Sequence, residues 1–265
     1  MNILERIVTY KRDEEIPARM AAVGLPEIRQ RALEAAPALD FAAALRAKAR
    51  RGVLIAEIKR ASPSKGLLCP DFDPVHLAEV YVRSGAAALS VLTDEPFFQG
   101  SLEILADLRK RYPDTPLLRK DFILHPYQVY EARAVGADAI LLIAAALPDE
   151  DLVQLHALAG SLGMAALVEV HNREELARVL PLAPGVVGVN NRDLQTFAVS
   201  LETCLGLRGL VPPGTVFVAE SGIHTRTDVL RLADAGVDAA LVGEALVTAP
   251  DAALKIQEMF DERSG

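Results

Sequence analysis

The stretch AVGADAILLI, residues 134–143, reads as the end of a helix and the start of a strand with one glycine between them. Two further stretches have the same form, RSGAAALSVL at 83–92 and DAGVDAALVG at 234–243. In each, a helical run stops at Gly85, Gly136 or Gly236, where glycine suits a left-handed C-cap, and an apolar strand starts at once. Working outward from these three, strands are predicted at 53–58 (VLIAEI), 87–92 (AALSVL), 116–120 (PLLRK), 138–143 (DAILLI), 165–170 (AALVEV), 186–190 (VVGVN), 215–219 (TVFVA) and 238–242 (DAALV). Each run is almost continuously apolar rather than alternating, the pattern of parallel strands covered on both faces. Eight strands, each followed by a helical stretch, predict an α/β protein of the (β/α)8 TIM-barrel class. A doubly wound sheet is the alternative, but the G-x-G-x-x-G loop that usually announces one is missing.

Residues 1–50 stand outside the repeat and read as a helical extension, with helices at 2–10, 26–35 and 40–50 broken at Pro17, Pro26 and Pro37, and with Asp40 as an N-cap. Residues 51–265 form the barrel, the whole being a single domain. The extension either packs beneath the barrel or folds over its mouth. Half of the 265 residues are hydrophobic, tryptophan is absent, and the core is therefore built from Ala, Val, Leu and Ile. A net charge of −8 with no dominant basic patch argues against nucleic acid and anionic membranes as partners. The longest uncharged apolar run, AILLIAAALP at 139–148, is too short to span a bilayer. The N-terminus carries Glu5 and Arg6 early and has no signal-peptide core. Cys69 and Cys204 lie far apart and read as two free thiols of a cytoplasmic protein.

In such a barrel the site lies at the C-terminal ends of the strands. Those ends carry Glu57 and Lys59, then Lys120 and Asp121, Glu169 and His171, Asn190, Asn191 and Arg192, and Glu220 and Ser221. Glu57 and Lys59 share parity, as do Gly188 and Asn190, so each pair can point inward. Arg119 has the opposite parity to Lys120 and is expected to face the helices. Only 7 of the 28 basic residues are lysines, so two at strand ends are informative. Charges converging in an apolar barrel are costly unless paired. Their protonation is expected to be perturbed, which suits lysine as acid and glutamate as base. The loops after the last two strands, with Gly222 in ESGI and Gly243 in VGEAL, supply small residues where backbone N–H groups can approach a phosphate, and Ser62 and Ser64 add hydroxyls. Phe97 and Phe98 stand where they can stack on an aromatic substrate or simply pack on the rim. His171 and His224 read as loop or supporting residues, and no HxH or HExxH spacing suggests a metal.

The motifs AEIKRASPSKG, LSVLTDEPFFQGS, LLRKDFIL, ALVEVH, GVNNRDL, VAESGI and LVGEAL, in this order, resemble the indole-3-glycerol phosphate synthase family from about residue 50 to 247. The resemblance implies a lyase of tryptophan biosynthesis that uses no metal and no cofactor and acts on a phosphorylated small molecule, compatibly with a monomer. By motif, it implies Lys120 as the general acid of ring closure. It implies Lys59 as the partner of the anthranilate carboxylate and a proton donor in dehydration, and Glu57 and Glu169 as base and support for a cationic intermediate. Asn190, Arg192 and Glu220 would orient substrate and lysines. Ser62, Ser221, Gly222, Gly243 and the backbone of Glu244 would bind the phosphate end, with Leu241 and Phe98 beside the substrate. Some family members carry Ser or Thr in place of Glu244, whose carboxylate would repel a phosphate, so its side chain is expected to turn away. A Schiff-base aldolase with Lys120 or Lys59 as nucleophile and a non-catalytic phosphosugar-binding protein are the competing readings.

Overall fold

The computed structural model describes residues 2–46, 52–193 and 196–261. Eight parallel strands close into a barrel: β1 (Val53–Ile58), β2 (Ala88–Leu92), β3 (Leu117–Lys120), β4 (Ala139–Ile143), β5 (Ala165–Val170), β6 (Val186–Asn190), β7 (Val216–Glu220) and β8 (Ala239–Val242). Each strand pairs with its sequence neighbours, and β8 closes the ring on β1. Observed limits lie within one residue of the sequence expectation at every strand. The glycines of the repeated helix–strand junction are left-handed, with φ of 92° at Gly85, 90° at Gly136 and 83° at Gly236. A β-carbon would strain each of these turns.

The barrel is filled, not hollow. Ile55, Leu118, Leu141, Leu167, Val218 and Leu241 meet inside it, while the opposite parity, with Leu54, Leu89, Ile140, Val168 and Phe217, packs outward against the helices. Alternation therefore sorts each strand into an inner and an outer set. The register levels the polar ends: Leu92 lies beside Lys120, Ile143 beside Glu169, and Asn190 beside Glu220.

The N-terminal extension departs from the expected pattern at Pro17. Helix α1 (Ile3–Tyr10) continues through a π-helical stretch, Lys11–Glu15, into α2 (Ile16–Ala22) without a break. A proline inside an α-helix clashes with the carbonyl four residues back. Here the turn ahead of it is widened to i→i+5 bonding, as in the bond from the Ile16 N–H to the Lys11 carbonyl, so the ring is accommodated. Helix α3 (Leu25–Glu34) lies along the helix Pro126–Ala134. Helix α4 (Phe41–Leu45) starts at Asp40, whose carboxylate accepts the Ala43 N–H at 2.8 Å, the N-cap the sequence predicts. Beyond Leu45 the expected helix reaches 47–50, which lie outside the described residues. Phe41 and Leu45 close the floor of the barrel against Val53, Val186, Val216 and Ala239, and Ile3, Leu4 and Ile7 line a cavity at the opposite end. The extension thus does both things the sequence left open, running from the mouth to the floor.

Candidate active site

A cavity of about 190 Å3 opens at the C-terminal ends of the strands. Every residue to which the family resemblance gives a role lines it: Glu57, Lys59, Ser62, Phe98, Lys120, Glu169, Asn190, Arg192, Glu220, Ser221, Gly222, Leu241, Gly243 and Glu244. The charged residues meet at its base. Lys59 Nζ lies 2.7 Å from Glu57 Oε1. Lys120 Nζ stands 3.6 Å from Glu169 Oε2 and 3.6 Å from Glu220 Oε2. Asn190 donates from Nδ2 to Glu169 Oε1 at 3.3 Å, and its own carbonyl accepts the Arg192 N–H at 3.1 Å. Two glycines make room for this. A β-carbon on Gly243 would lie 2.3 Å from Glu57 Oε1, and one on Gly188 would lie 2.2 Å from Glu220 Oε1. Both positions need the missing side chain so that a carboxylate can fold into the barrel.

The electrostatics divide the three buried glutamates. Burial alone would raise all three carboxyls. At Glu57 burial is outweighed by Lys59 and Lys120, so it is held below its usual range. Glu169 is likewise held low, burial being outweighed by Lys120, by His171 and by Asn190. Glu220 goes the other way: burial and the nearby Glu169 and Glu57 raise it further than Lys120 can lower it. The mouth thus holds ionised carboxylates beside one that favours its proton. Burial would lower the Lys120 ammonium, but Glu169, Glu220 and Glu57 raise it well above the usual lysine range. The charged form of Lys120 is therefore the resting one.

The neighbouring pair Asn190 and Asn191 splits its duties. Asn191 is buried, donating to the Ser221 carbonyl at 3.1 Å and accepting the Cys204 N–H at 3.1 Å. It thereby braces Ser221, a non-glycine residue held at φ 65° and followed by Gly222 at φ 76°. Ser62 sits on a small antiparallel hairpin, Ala61–Ser62 with Gly66–Leu67, in the loop after β1. The Glu244 side chain does not turn away as expected. It reaches back over the mouth, with Oε1 2.7 Å from Lys65 Nζ and Oε2 3.9 Å from Arg192 Nη2. These two cations neutralise it, which is why a carboxylate is tolerated there.

Phe98 and Phe97 part company. Phe98 lines the cavity and leans on Phe122 at a centroid distance of 6.1 Å, whereas Phe97 packs edge-on against Tyr10 at 5.9 Å. Arg119 faces outward as its parity predicts, fully buried and within 3.1 Å of Asp121 and 2.9 Å of Glu131. Several cavity residues escaped the sequence reading. Phe122 and Ile143 have no polar signature. Ile3 and Ile7 are spaced by one helical turn, which signals only an apolar face. Outside the cavity lining, Lys65 reaches Glu244 from a loop that carries no periodicity. His171, two residues past Glu169 and expected as a loop or supporting residue, stands 3.2 Å from that carboxylate. Among the described residues no group of three or more His, Cys, Asp or Glu is disposed to hold a metal ion, and no helix is long and apolar enough to cross a membrane.

Comparison with known proteins follows the same lines. The profile of the indole-3-glycerol phosphate synthase family matches residues 4–259. The indole-3-glycerol phosphate synthase of Roseiflexus sp. (strain RS-1) is 53% identical over 264 residues, 97% of this chain and 97% of that protein. The protein of the same name from Albidiferax ferrireducens is 52% identical over 261 residues, 98% of each. Among solved structures, 3-hexulose-6-phosphate synthase from Salmonella typhimurium superposes with a TM-score of 0.63 at 15% identity, over 78% of this chain and 96% of its own. Thiamine phosphate pyrophosphorylase from Pyrococcus furiosus gives 0.59 at 21% identity, over 80% and 94%. These two likenesses concern the fold alone.

Proposed function

This chain belongs to the indole-3-glycerol phosphate synthase family, and from that premise we propose how its residues divide the reaction between them. The reaction closes a ring in 1-(2-carboxyphenylamino)-1-deoxyribulose 5-phosphate, then loses carbon dioxide and water to give indole-3-glycerol phosphate. Ring closure turns the ketone oxygen into a hydroxyl. Lys120 supplies that proton. A strongly held ammonium suits the task, because an oxygen becoming an alkoxide binds a proton tightly and meets a full positive charge as it forms. Loss of carbon dioxide then restores the aromatic ring without a dedicated residue. Dehydration expels the hydroxyl as water and removes a ring proton. Lys59, paired with Glu57 at 2.7 Å, binds the substrate carboxylate and donates to the departing oxygen. Glu169, held ionised, accepts the ring proton, and Glu57 stabilises the cationic intermediate.

The remaining residues place the substrate. Asn190 and Arg192 address its hydroxyls, and Glu220 together with Glu169 centres Lys120. Ser62, Ser221, Gly222, Gly243 and the backbone N–H of Glu244 hold the phosphate, while Phe98 and Leu241 cover the aromatic ring. Every group named comes from one chain, so a monomer suffices, and a phosphorylated small molecule is its partner. The composition and the two unpaired cysteines favour the cytoplasm.

The observation that carries this reading is Lys120, 3.6 Å from each of two buried carboxylates at the centre of the mouth. It also weighs against the aldolase alternative, which needs a neutral, nucleophilic lysine, whereas Lys120 is raised. The test is a fluorescence assay for indole-3-glycerol phosphate with the wild type and Lys120→Ala. Turnover abolished by the substitution, and no borohydride-trapped lysine adduct, is the expected result. An undiminished rate in Lys120→Ala overturns the assignment.

A further inference from the structure

One buried titratable side chain at the mouth has no part in the steps above. The His171 ring is wedged between two carboxylates, Nε2 3.2 Å from Glu169 Oε1 and Nδ1 3.0 Å from Glu175 Oε2. Glu175 is itself pinned in the first turn of α5 (Arg173–Val179). Its Oε2 accepts the His171 N–H at 2.8 Å, and its Oε1 accepts from the Asn172 side-chain amide at 2.8 Å. Asn172 in turn caps the helix by accepting the Glu175 N–H at 2.8 Å. Glu175 is therefore held in place independently of the imidazole that it faces. A carboxylate oxygen beside each ring nitrogen favours a proton on both. Burial opposes that charge, but Glu169 and Glu175 together outweigh it and push the imidazole up to about 10. A positive charge thus stands behind Glu169, 3.2 Å from its Oε1 as an ion pair, while Oε2 faces Lys120.

The neighbouring carboxylate is treated differently. Neither oxygen of Glu220 has a hydrogen bond within the described residues, and no imidazole stands behind it. Two carboxyls that share one lysine compete for protons and titrate as a pair. We propose that His171, backed by Glu175, is a positioning residue that makes Glu169 the ionised member of the Glu169–Glu220 pair and aims its free oxygen at the reacting centre. This rests on the assignment of Glu169 as the proton acceptor. The charged groups facing the ring and its partner are Glu175 from α5, Glu169 on β5, Lys120 from β3, Glu220 from β7 and Glu57 from β1.

The test is kcat and KM against pH for wild type, His171→Asn, Glu175→Gln and Glu169→Gln, with thermal melts of each. An opposite charge at this range shifts a carboxyl by about 1–3 pH units. Losing the imidazolium should therefore move the acidic limb of kcat upward by about one unit or more. His171→Asn should then lose about tenfold in kcat on that limb and little on the alkaline plateau, with KM unchanged. Glu175→Gln should move the limb the same way by less, and it carries the test if His171→Asn does not fold. A limb that superimposes on the wild type overturns the inference, as does a pH-independent loss that tracks a lowered melting temperature. If Glu169→Gln stays active, the assignment of Glu169 fails. If Glu169→Gln is inactive and the limb does not move in His171→Asn, only the role of His171 fails.

Discussion

Lys120 and Asp121 are adjacent in the chain, yet they belong to two buried charge clusters of opposite character. On the outer side, Asp121 joins a network between the barrel and the N-terminal extension. Lys11, fully buried on the π-helical stretch, lies 2.7 Å from Asp121, 3.0 Å from Asp94 and 2.9 Å from Glu15. Arg119 and Arg19 complete it, so that Asp94, Asp121, Glu15 and Glu131 each have a cation within 3.3 Å. On the inner side, Lys120 stands 3.6 Å from two carboxylates, and Glu220 has no hydrogen bond within the described residues. The outer cluster spends its charges on itself. The inner one holds its lysine at longer range from both carboxylates, which leaves that ammonium open to a substrate. Burial and charge do not distinguish the two; the reach of the central lysine does, 2.7–3.0 Å from its carboxylates at Lys11 and 3.6 Å at Lys120.

Removing the lysine of each cluster should break the molecule in different ways. Lys120→Ala should lower kcat by about 10²–10⁴-fold, the usual reach of a general acid, with a smaller loss of unfolding free energy than the outer substitution causes. Lys11→Met leaves Asp94, Asp121 and Glu15 facing one another without their common cation and should cost about 3–5 kcal/mol, the range for breaking a buried ion pair, read from urea denaturation. Activity per folded Lys11→Met molecule should fall less than in Lys120→Ala. Equal effects of the two substitutions on both readouts would abolish the distinction.

Stability against pH should sharpen it, because the two clusters tilt in opposite directions. Burial would raise the Asp121 carboxyl, but Lys11, Arg119 and the Thr93 hydroxyl hold it far below the usual range. A lowered folded value contributes stability that is complete above the unfolded value of about 3.9 and is lost as the pH falls below it. Asp121→Asn should therefore destabilise at neutral pH and flatten the acid side of the curve. Glu220 is raised by burial and by Glu169. Its contribution is complete below the unfolded value of about 4.3 and is lost as the pH climbs through the folded one. Glu220→Gln should thus be more stable than the wild type at pH 7 and no more stable at pH 4. A Glu220→Gln gain that persists at pH 4 would contradict the raised carboxyl.

The inner cluster was legible in the sequence and the outer one was not. Parallel strands with a period of two force Glu57, Lys120, Glu169, Asn190 and Glu220 to a common end and a common side, so strand limits and parity alone place them. Lys11 belongs to no strand. Its burial depends on where a helix of the extension docks, and one lysine in a run of charges reads as a solvated face. The continuation through Pro17 was hidden for a related reason, since the proline rule presumes an α-helix and the π turn changes its premise. His171 shows the limit from the other side. Parity offers it, but its meaning depends on Glu175, which reaches it only once α5 has turned back toward the mouth.

The smallest expected effect tests the same contrast at the rim. Lys65 and Glu244 form a part-exposed pair across the mouth, at 2.7 Å, with Arg192 3.9 Å from the same carboxylate. A pair of this kind contributes about 0.2–1 kcal/mol and weakens with salt, so Glu244→Gln should hardly change the melting temperature. It should change binding, because the carboxylate occupies two cations beside the residues assigned to the phosphate. Freed of it, Lys65 and Arg192 can turn to the substrate's own negative charge. Glu244→Gln should lower KM by less than tenfold with kcat nearly unchanged, and inorganic phosphate should inhibit the variant more strongly than the wild type at low ionic strength. A raised KM would mean that the carboxylate orders the loop after β1 for binding, and the rim would then belong with the outer cluster as a set of charges spent on the fold.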